Sequence, residues 1–300
     1  MTGIAMNQLR NYLRLMRPAQ WIKNIFIFLP AFFALQIDEW DVLLHLFQVF
    51  AGFSFVCSAV YVFNDMLDVN EDRLHPQKKY RPIASGAVSK QQAVFLILIL
   101  LAVAFVILLI TAQSTWVLAI VAFYLVMNVL YTLKLKHISI LDVVIIAVGF
   151  VLRVFIGGLV SDTYLSHWII LMTFVLALFL AFSKRRDDVF NYVRTGINTR
   201  KNLEGYNLDF LNVVITCLAT VVIVCYIMYC TSPEVIKRLG DNVYLTSIFV
   251  IIGVLRYLQL TLVWLISGNP TNILLKNRFL QVIIIGWILS FVAIIYFHWN

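Results

Sequence analysis

Charge is what this chain lacks most: only 13% of its 300 residues are Asp, Glu, Lys or Arg. A soluble domain carries about a quarter, and with 62% hydrophobic residues a soluble globular fold is excluded. Cysteine is scarce too. Cys57, Cys217, Cys225 and Cys230 lie in or beside apolar runs, and none has CxxC or Cys/His spacing, so neither a disulfide framework nor a thiolate metal site is indicated. A convincing small-residue cleavage site after the first apolar run, near 21–35, is also missing. That run therefore reads as a retained helix rather than a signal peptide.

What is present is apolar sequence in lengths that cross a bilayer, about 17–25 residues each. The runs fall near 18–36, 42–64, 91–111, 115–133, 139–160, 167–183, 209–230, 243–266 and 279–298. The expectation is an all-α integral membrane protein with nine transmembrane helices, read as a single membrane-embedded domain over 1–300. The first helix is the least regular, because Lys23 and Asn24 interrupt its start and Pro30 kinks it.

The net charge of +8 is distributed as topology rather than as a nucleic-acid surface. With the N-terminus cytoplasmic, nearly all Lys and Arg fall on the inner side. The exceptions are Lys237 and Arg238 outside, and Arg153 and Arg256 within spans. This bias sets the orientation in the cell (inner) membrane, with His298–Asn300 facing outward. The segment Leu9–Arg14 alternates apolar and basic residues, as a helix lying on anionic lipid does.

Chemistry collects on the cytoplasmic side. The segment Asn64–Gly86, NDMLDVNEDRLHPQKKYRPIASG, closes the second run. Asp65, Asp68 and Asp72 are spaced i, i+3 and i+7, which puts them on one face of a helix. Carboxylates so grouped repel one another unless a cation sits among them, and hard oxygen donors suit Mg²⁺ bridging to substrate phosphates. Arg73, Lys78, Lys79 and Arg81 follow at once. Further basic groups lie at Lys134–His137 with Asp142, at Lys184–Asp188, and from Arg194 to Lys201. Lys and Arg bind phosphoryl oxygens, Arg as a fork and Lys as a point charge. Asp142 and Arg153 are three helical turns apart and face one way; charges at membrane depth line polar cavities or bundle interiors. Gly157–Gly158 reads as a close helix contact.

The pattern at Asn64, Asp65, Asp68 and Asp72, followed by RPIASG, resembles the UbiA-type intramembrane prenyltransferase superfamily. That resemblance implies helices around a central cavity, a cytoplasmic polar cap and a bound Mg²⁺-diphosphate. RPAQWIKN (17–24), LKHISILD (135–142), GFVLRVFIGG (149–158), SKRRDD (183–188) and NRFLQ (277–281) are similar to the decaprenyl-phosphate phosphoribosyltransferase branch. The aromatic prenyltransferases carry a second spaced acidic motif after the sixth span. Here Lys184, Arg185 and Arg186 precede two adjacent acids, which suits a lipid monophosphate held by cations.

The implied reaction moves 5-phosphoribose from phosphoribosyl diphosphate to a polyprenyl phosphate, as in cell wall biosynthesis of relatives. On this reading Asp65, Asp68 and Asp72 are both the catalytic and the metal-binding set, with Mg²⁺ as cofactor. Lys23, Asn64, Arg73, Lys78, Lys79, Arg81, Lys134, Asp142, Arg153, Lys184, Arg185 and Arg186 are substrate-binding candidates. The partners implied are the two substrates and membrane lipids, with no nucleic acid, and oligomer formation is left open. Two alternatives stand beside it. One is prenyl transfer from a polyprenyl diphosphate to an aromatic acceptor; the other is a transporter lined by Arg153 and Arg256, against which no inverted repeat is evident.

Overall fold

The computed structural model describes residues 2–75, 77–111, 114–196, 201–265 and 270–297, and every regular element among them is helical. The chain divides into two compact units, residues 1–136 with 149–165, and residues 137–148 with 166–300.

In the first unit α1 (Thr2–Met16) leads into a 3₁₀ stretch, Pro18–Phe28, and the short α2 (Leu29–Phe33). The long α3 (Trp40–Leu67) follows, then α4 (Val69–Leu74), α5 (Lys90–Thr111) and α6 (Thr115–Leu133). Helix α3 is central: α1, the 3₁₀ stretch, α5 and α6 all pack on it. Leu15, Ala59, Val62, Ile83, Ala93 and Leu100 form part of its core. Helix α5 exposes Phe95, Leu98, Phe105 and Ile110, as a lipid-facing helix does.

The second unit contains α8 (His167–Thr195), α9 (Leu208–Cys230), α10 (Pro233–Leu239), α11 (Ser247–Leu262), α12 (Pro270–Lys276) and α13 (Arg278–Phe297). Helix α9 packs on both α8 and α11, and α11 on α13. Phe179, Phe182, Leu211, Ile215, Val254 and Leu280 are buried between them. Ser166 and Asn207 cap α8 and α9 by accepting from the Ile169 and Phe210 amides, satisfying backbone donors that a helix start leaves open. Helix α7 (Leu141–Val160) begins in this unit and ends in the first.

Seven helical segments among the described residues are long and apolar enough to cross a membrane, and they coincide with the second to eighth expected spans. The expected first span is different. From 18 to 33 the chain is a 3₁₀ stretch and a five-residue α-helix, because Pro18 and Pro30 lack an amide proton and polar Asn24 is buried within the stretch. Asn24 donates to Ser54 Oγ at 2.8 Å, which pins the irregular backbone to α3. The ninth expected span is α13, and the three terminal residues lie outside the described ones.

Length positions the chemistry. Helix α3 has 28 residues and α8 has 29, about 42 Å each at 1.5 Å per residue. The hydrocarbon core is about 30 Å thick. Each helix is therefore long enough to extend beyond the apolar layer, and each carries its polar cluster at its C-terminal end, Asn64–Asp65 on α3 and Lys184–Asp188 on α8.

Candidate active site

The acidic segment straddles the junction of α3 and α4. Asp68 sits at the break, and helical hydrogen bonds nonetheless continue through it, from the Asp68 amide to Asn64 O and from the Asp72 amide to Asp68 O. The i, i+7 spacing therefore keeps its meaning. Asp65 and Asp72 converge on one side chain: Arg81 Nη1 donates to Asp65 Oδ1 at 2.9 Å and to Asp72 Oδ2 at 2.7 Å. Both carboxylates are buried.

Arg81 is held by the turn it opens. The Ser85 amide donates to Arg81 O and the Val88 amide to Pro82 O, while Gly86 takes φ of +81°, which an L side chain rarely adopts. Arg73 Nε donates to Ala84 O at 3.1 Å, so this candidate braces the turn. Lys79 lies over the Tyr80 ring at 5.1 Å. Lys78 is half-buried, and Lys134 is exposed.

Two cations complete the cluster that sequence reasoning passed over. Arg17 Nη2 donates to Asp65 Oδ1 at 2.5 Å, with its guanidinium also over the Tyr61 ring at 5.4 Å. Lys136 Nζ donates to Asp68 Oδ1 at 2.5 Å, and Asn64 Nδ2 reaches Asp68 Oδ2 at 3.1 Å. Asp68 is thus turned to a partner of its own. Three carboxylates meet three cations, and the group is neutral as a whole.

Arg153 is buried in the same unit with no carboxylate among its partners. Its Nε donates to Asn24 Oδ1 at 2.8 Å, Nη1 to Gly149 O at 2.5 Å, and Nη2 to the Tyr124 hydroxyl at 3.3 Å. The rings of Phe53, Tyr124 and Phe150 surround the guanidinium at 5.1 to 5.3 Å. Carbonyl dipoles and ring faces spread its charge, and through Asn24 it anchors the 3₁₀ stretch that carries half-buried Lys23.

A second charged cluster lies in the other unit. Fully buried Asp142 accepts from Arg185 Nε at 2.5 Å and from the Tyr206 hydroxyl at 2.6 Å. The Ile140 amide donates to that hydroxyl at 2.5 Å, and Arg185 Nη1 reaches Asp188 at 3.0 Å. Burial, followed by the bond to Asp142, pushes the Tyr206 phenol well above its ordinary range, so it remains a donor. Arg186 donates to Asn212 Oδ1 at 2.7 Å and to Thr261 O at 2.8 Å. Arg185 and Arg186 are therefore engaged inward, while Lys184 beside them is half-buried. Asp142 and Arg153 share α7 but take separate partners. Tyr206 and Asn212 had no signal in the sequence beyond a polar residue near a basic cluster.

No three His, Cys, Asp or Glu side chains among the described residues are arranged to hold a metal ion. The reason is visible at Arg81, whose Nη1 stands between two carboxylate oxygens. The donors themselves, hard and anionic, match Mg²⁺ chemistry; a guanidinium nitrogen bridges them instead.

The family model described as the UbiA prenyltransferase family matches residues 24–283. The chain belongs to that family. It is 34% identical to the decaprenyl-phosphate phosphoribosyltransferase of Mycolicibacterium smegmatis, across 98% of this chain and 95% of that protein. It is 30% identical to the protein of the same name from Mycobacterium tuberculosis, across 97% and 96%. A UbiA homolog from Archaeoglobus fulgidus, solved bound to DMAPP and Mg²⁺, superposes with a TM-score of 0.69 at 18% identity, covering 95% of this chain and 99% of that one. This UbiA protein thus shares its fold with a solved relative and much of its sequence with the phosphoribosyltransferases.

Proposed function

We propose that this UbiA-family enzyme transfers 5-phosphoribose from phosphoribosyl diphosphate to a polyprenyl phosphate, releasing diphosphate. The observation that carries this reading is near-full-length identity of 30–34% to proteins of that named activity. The charge pattern supports it: one carboxylate cluster, at Asp65, Asp68 and Asp72, and a basic Lys184-Arg185-Arg186 segment in place of a second.

Asp65, Asp68 and Asp72 would hold a divalent metal, which when bound neutralises charge on the leaving diphosphate, and Asn64, bonded to Asp68, would contact the substrate beside it. Mg²⁺ is the ion we assign, as in the solved relative. Arg81, with Lys78, Lys79 and Arg73 around its turn, holds the diphosphate oxygens and offsets the charge that develops as the bond to ribose C1 breaks. Lys23 and Lys134 serve the remaining phosphates. Lys184 takes the phosphate of the lipid acceptor, and Arg185, Arg186 and Asp142 fix the helix that presents it. An acceptor phosphate oxygen is already anionic, so its attack on C1 requires no general base. Arg153 positions Lys23 through Asn24.

The same reading keeps nine spans, with 18–33 and α13 added to the seven, in one domain. It also keeps the polar cap on the cytoplasmic side of the cell membrane and the N-terminus inside. The test is transfer from radiolabelled phosphoribosyl diphosphate to a polyprenyl phosphate by purified protein. Labelled lipid should form with Mg²⁺, vanish with EDTA, and fall at least a hundredfold in Asp68→Asn. If the wild type makes none, yet joins a polyprenyl diphosphate to an aromatic acid, prenyl transfer replaces this reading.

A further inference from the structure

We infer that Arg17, Arg81 and Lys136 act as internal counter-cations that keep the carboxylate site closed to a bare metal ion and open it only to a metal arriving with a diphosphate. This rests on the metal-diphosphate assignment above and adds an order and a coupling to it.

Four ion pairs carry the argument: Arg17–Asp65, Arg81–Asp65, Arg81–Asp72 and Lys136–Asp68. The three acids and three bases balance. A divalent ion entering alone would have to displace Arg81 from between Asp65 and Asp72, leaving displaced cations and two added charges with no new anion. At a partly buried site that is costly. A diphosphate entering with the ion changes the outcome, because each displaced cation gains phosphate oxygens as the metal takes the carboxylates.

Exposure matches this exchange. The Asp65 and Asp72 side chains are 2% and 3% exposed, while those of Arg17, Arg81 and Lys136 are 27%, 26% and 15% exposed. Arg17 and Arg81 therefore lie on the accessible side of Asp65 and Asp72, where an incoming anion meets them first, while in the third pair Asp68, at 21%, is as open as Lys136 and both can be reached directly. Arg17 also adopts left-handed backbone angles, φ 53° and ψ 57°, although it precedes a proline, which favours extended geometry. Its ion pair helps to offset that strain, and loss of the pair to a phosphate leaves the side chain free to swing.

The experiment is equilibrium dialysis of the full-length protein in detergent with radioactive Mn²⁺ as the metal and inorganic pyrophosphate as the anion, with retention of each measured alone and together. Wild type should retain Mn²⁺ at least tenfold more tightly when pyrophosphate is present, and pyrophosphate correspondingly more tightly with Mn²⁺, since coupling is reciprocal. Arg17→Gln and Lys136→Met should each raise affinity for Mn²⁺ alone severalfold and shrink the gain from pyrophosphate. Equal retention of Mn²⁺ with and without pyrophosphate in wild type overturns the inference and spares the metal site. Unchanged binding of Mn²⁺ alone in both variants does the same. If neither probe is retained even together, the metal-diphosphate assignment falls as well, whatever the transfer assay returns.

Discussion

Asp142 is a carboxylate with no exposure at all, and Arg185 and Tyr206 offset its charge through two short contacts. Breaking a buried pair from one side costs about 3–5 kcal/mol where the other charge is left uncompensated, and here Arg185 would keep its pair with the less buried Asp188. Asp142→Ala should accordingly lower the thermal midpoint of the purified protein steeply, whereas Tyr206→Phe, which removes one bond to an ionised group, costs about 1.5–3 kcal/mol. Equal effects in the two variants would mean that the pair with Asp188 suffices for the guanidinium and that Asp142 is not its main counter-charge. The same contrast explains what was readable at this scale. The regular spacing of Asp65, Asp68 and Asp72 is a local property, and it marked the acidic cluster from sequence. Their partners are not local: Arg17 is 48 residues from Asp65 and Lys136 is 68 from Asp68. Among neighbouring basic residues the sequence favoured Lys23 and Lys134 over Arg17 and Lys136, since only the folded turn determines which one reaches the acid.

At the scale of elements, apolar runs of 17 residues or more translate directly into helices, because an unpaired backbone in hydrocarbon is prohibitive. The segment 18–33 breaks the rule for a reason distributed over both the chain and its neighbours. Its prolines and Asn24 weaken the helix, and Arg153 and Ser54 satisfy Asn24 in its irregular form. Gly157 on α7 completes the arrangement. A Cβ built there would fall on the Ile27 carbonyl oxygen, so the 3₁₀ backbone lies directly against the bare glycine. Gly157→Ala should therefore push the stretch away and cost about 1–3 kcal/mol or more, as overpacking does. Gly253→Ala serves as the comparison, since its Cβ would meet only Ile283 Cγ2 at 3.6 Å, an ordinary contact. Thermal midpoints of the two variants should separate clearly. If Gly157→Ala also reduces transfer by raising KM for the diphosphate donor more than it lowers kcat, the stretch carrying Lys23 contributes to donor binding, as proposed.

For the whole molecule, the governing quantity is the asymmetry of positive charge. Lys and Arg near the ends of spans are retained on the cytoplasmic side, and here they coincide with the ends that carry the acidic cluster and the Lys184 segment. On the proposed orientation the coincidence is chemical as well as topological, since those cations would then face the side from which a water-soluble phosphorylated donor arrives. Cysteine accessibility checks it. Cys217 is exposed and the other three cysteines are buried, so a background with all four replaced removes stray labelling. Lys79 and Lys237 are both exposed and sit on opposite sides in the nine-span arrangement. In intact cells a membrane-impermeant maleimide should modify Lys237→Cys and leave Lys79→Cys untouched until the membrane is permeabilised. The reverse pattern would put Asp65, Asp68 and Asp72 outside, away from the cytoplasmic pool of phosphorylated sugars, and would overturn both the orientation and the donor. Labelling of both positions from one side would instead mean an even number of spans between them, so that one of α5, α6, α7, α8 and α9 does not cross.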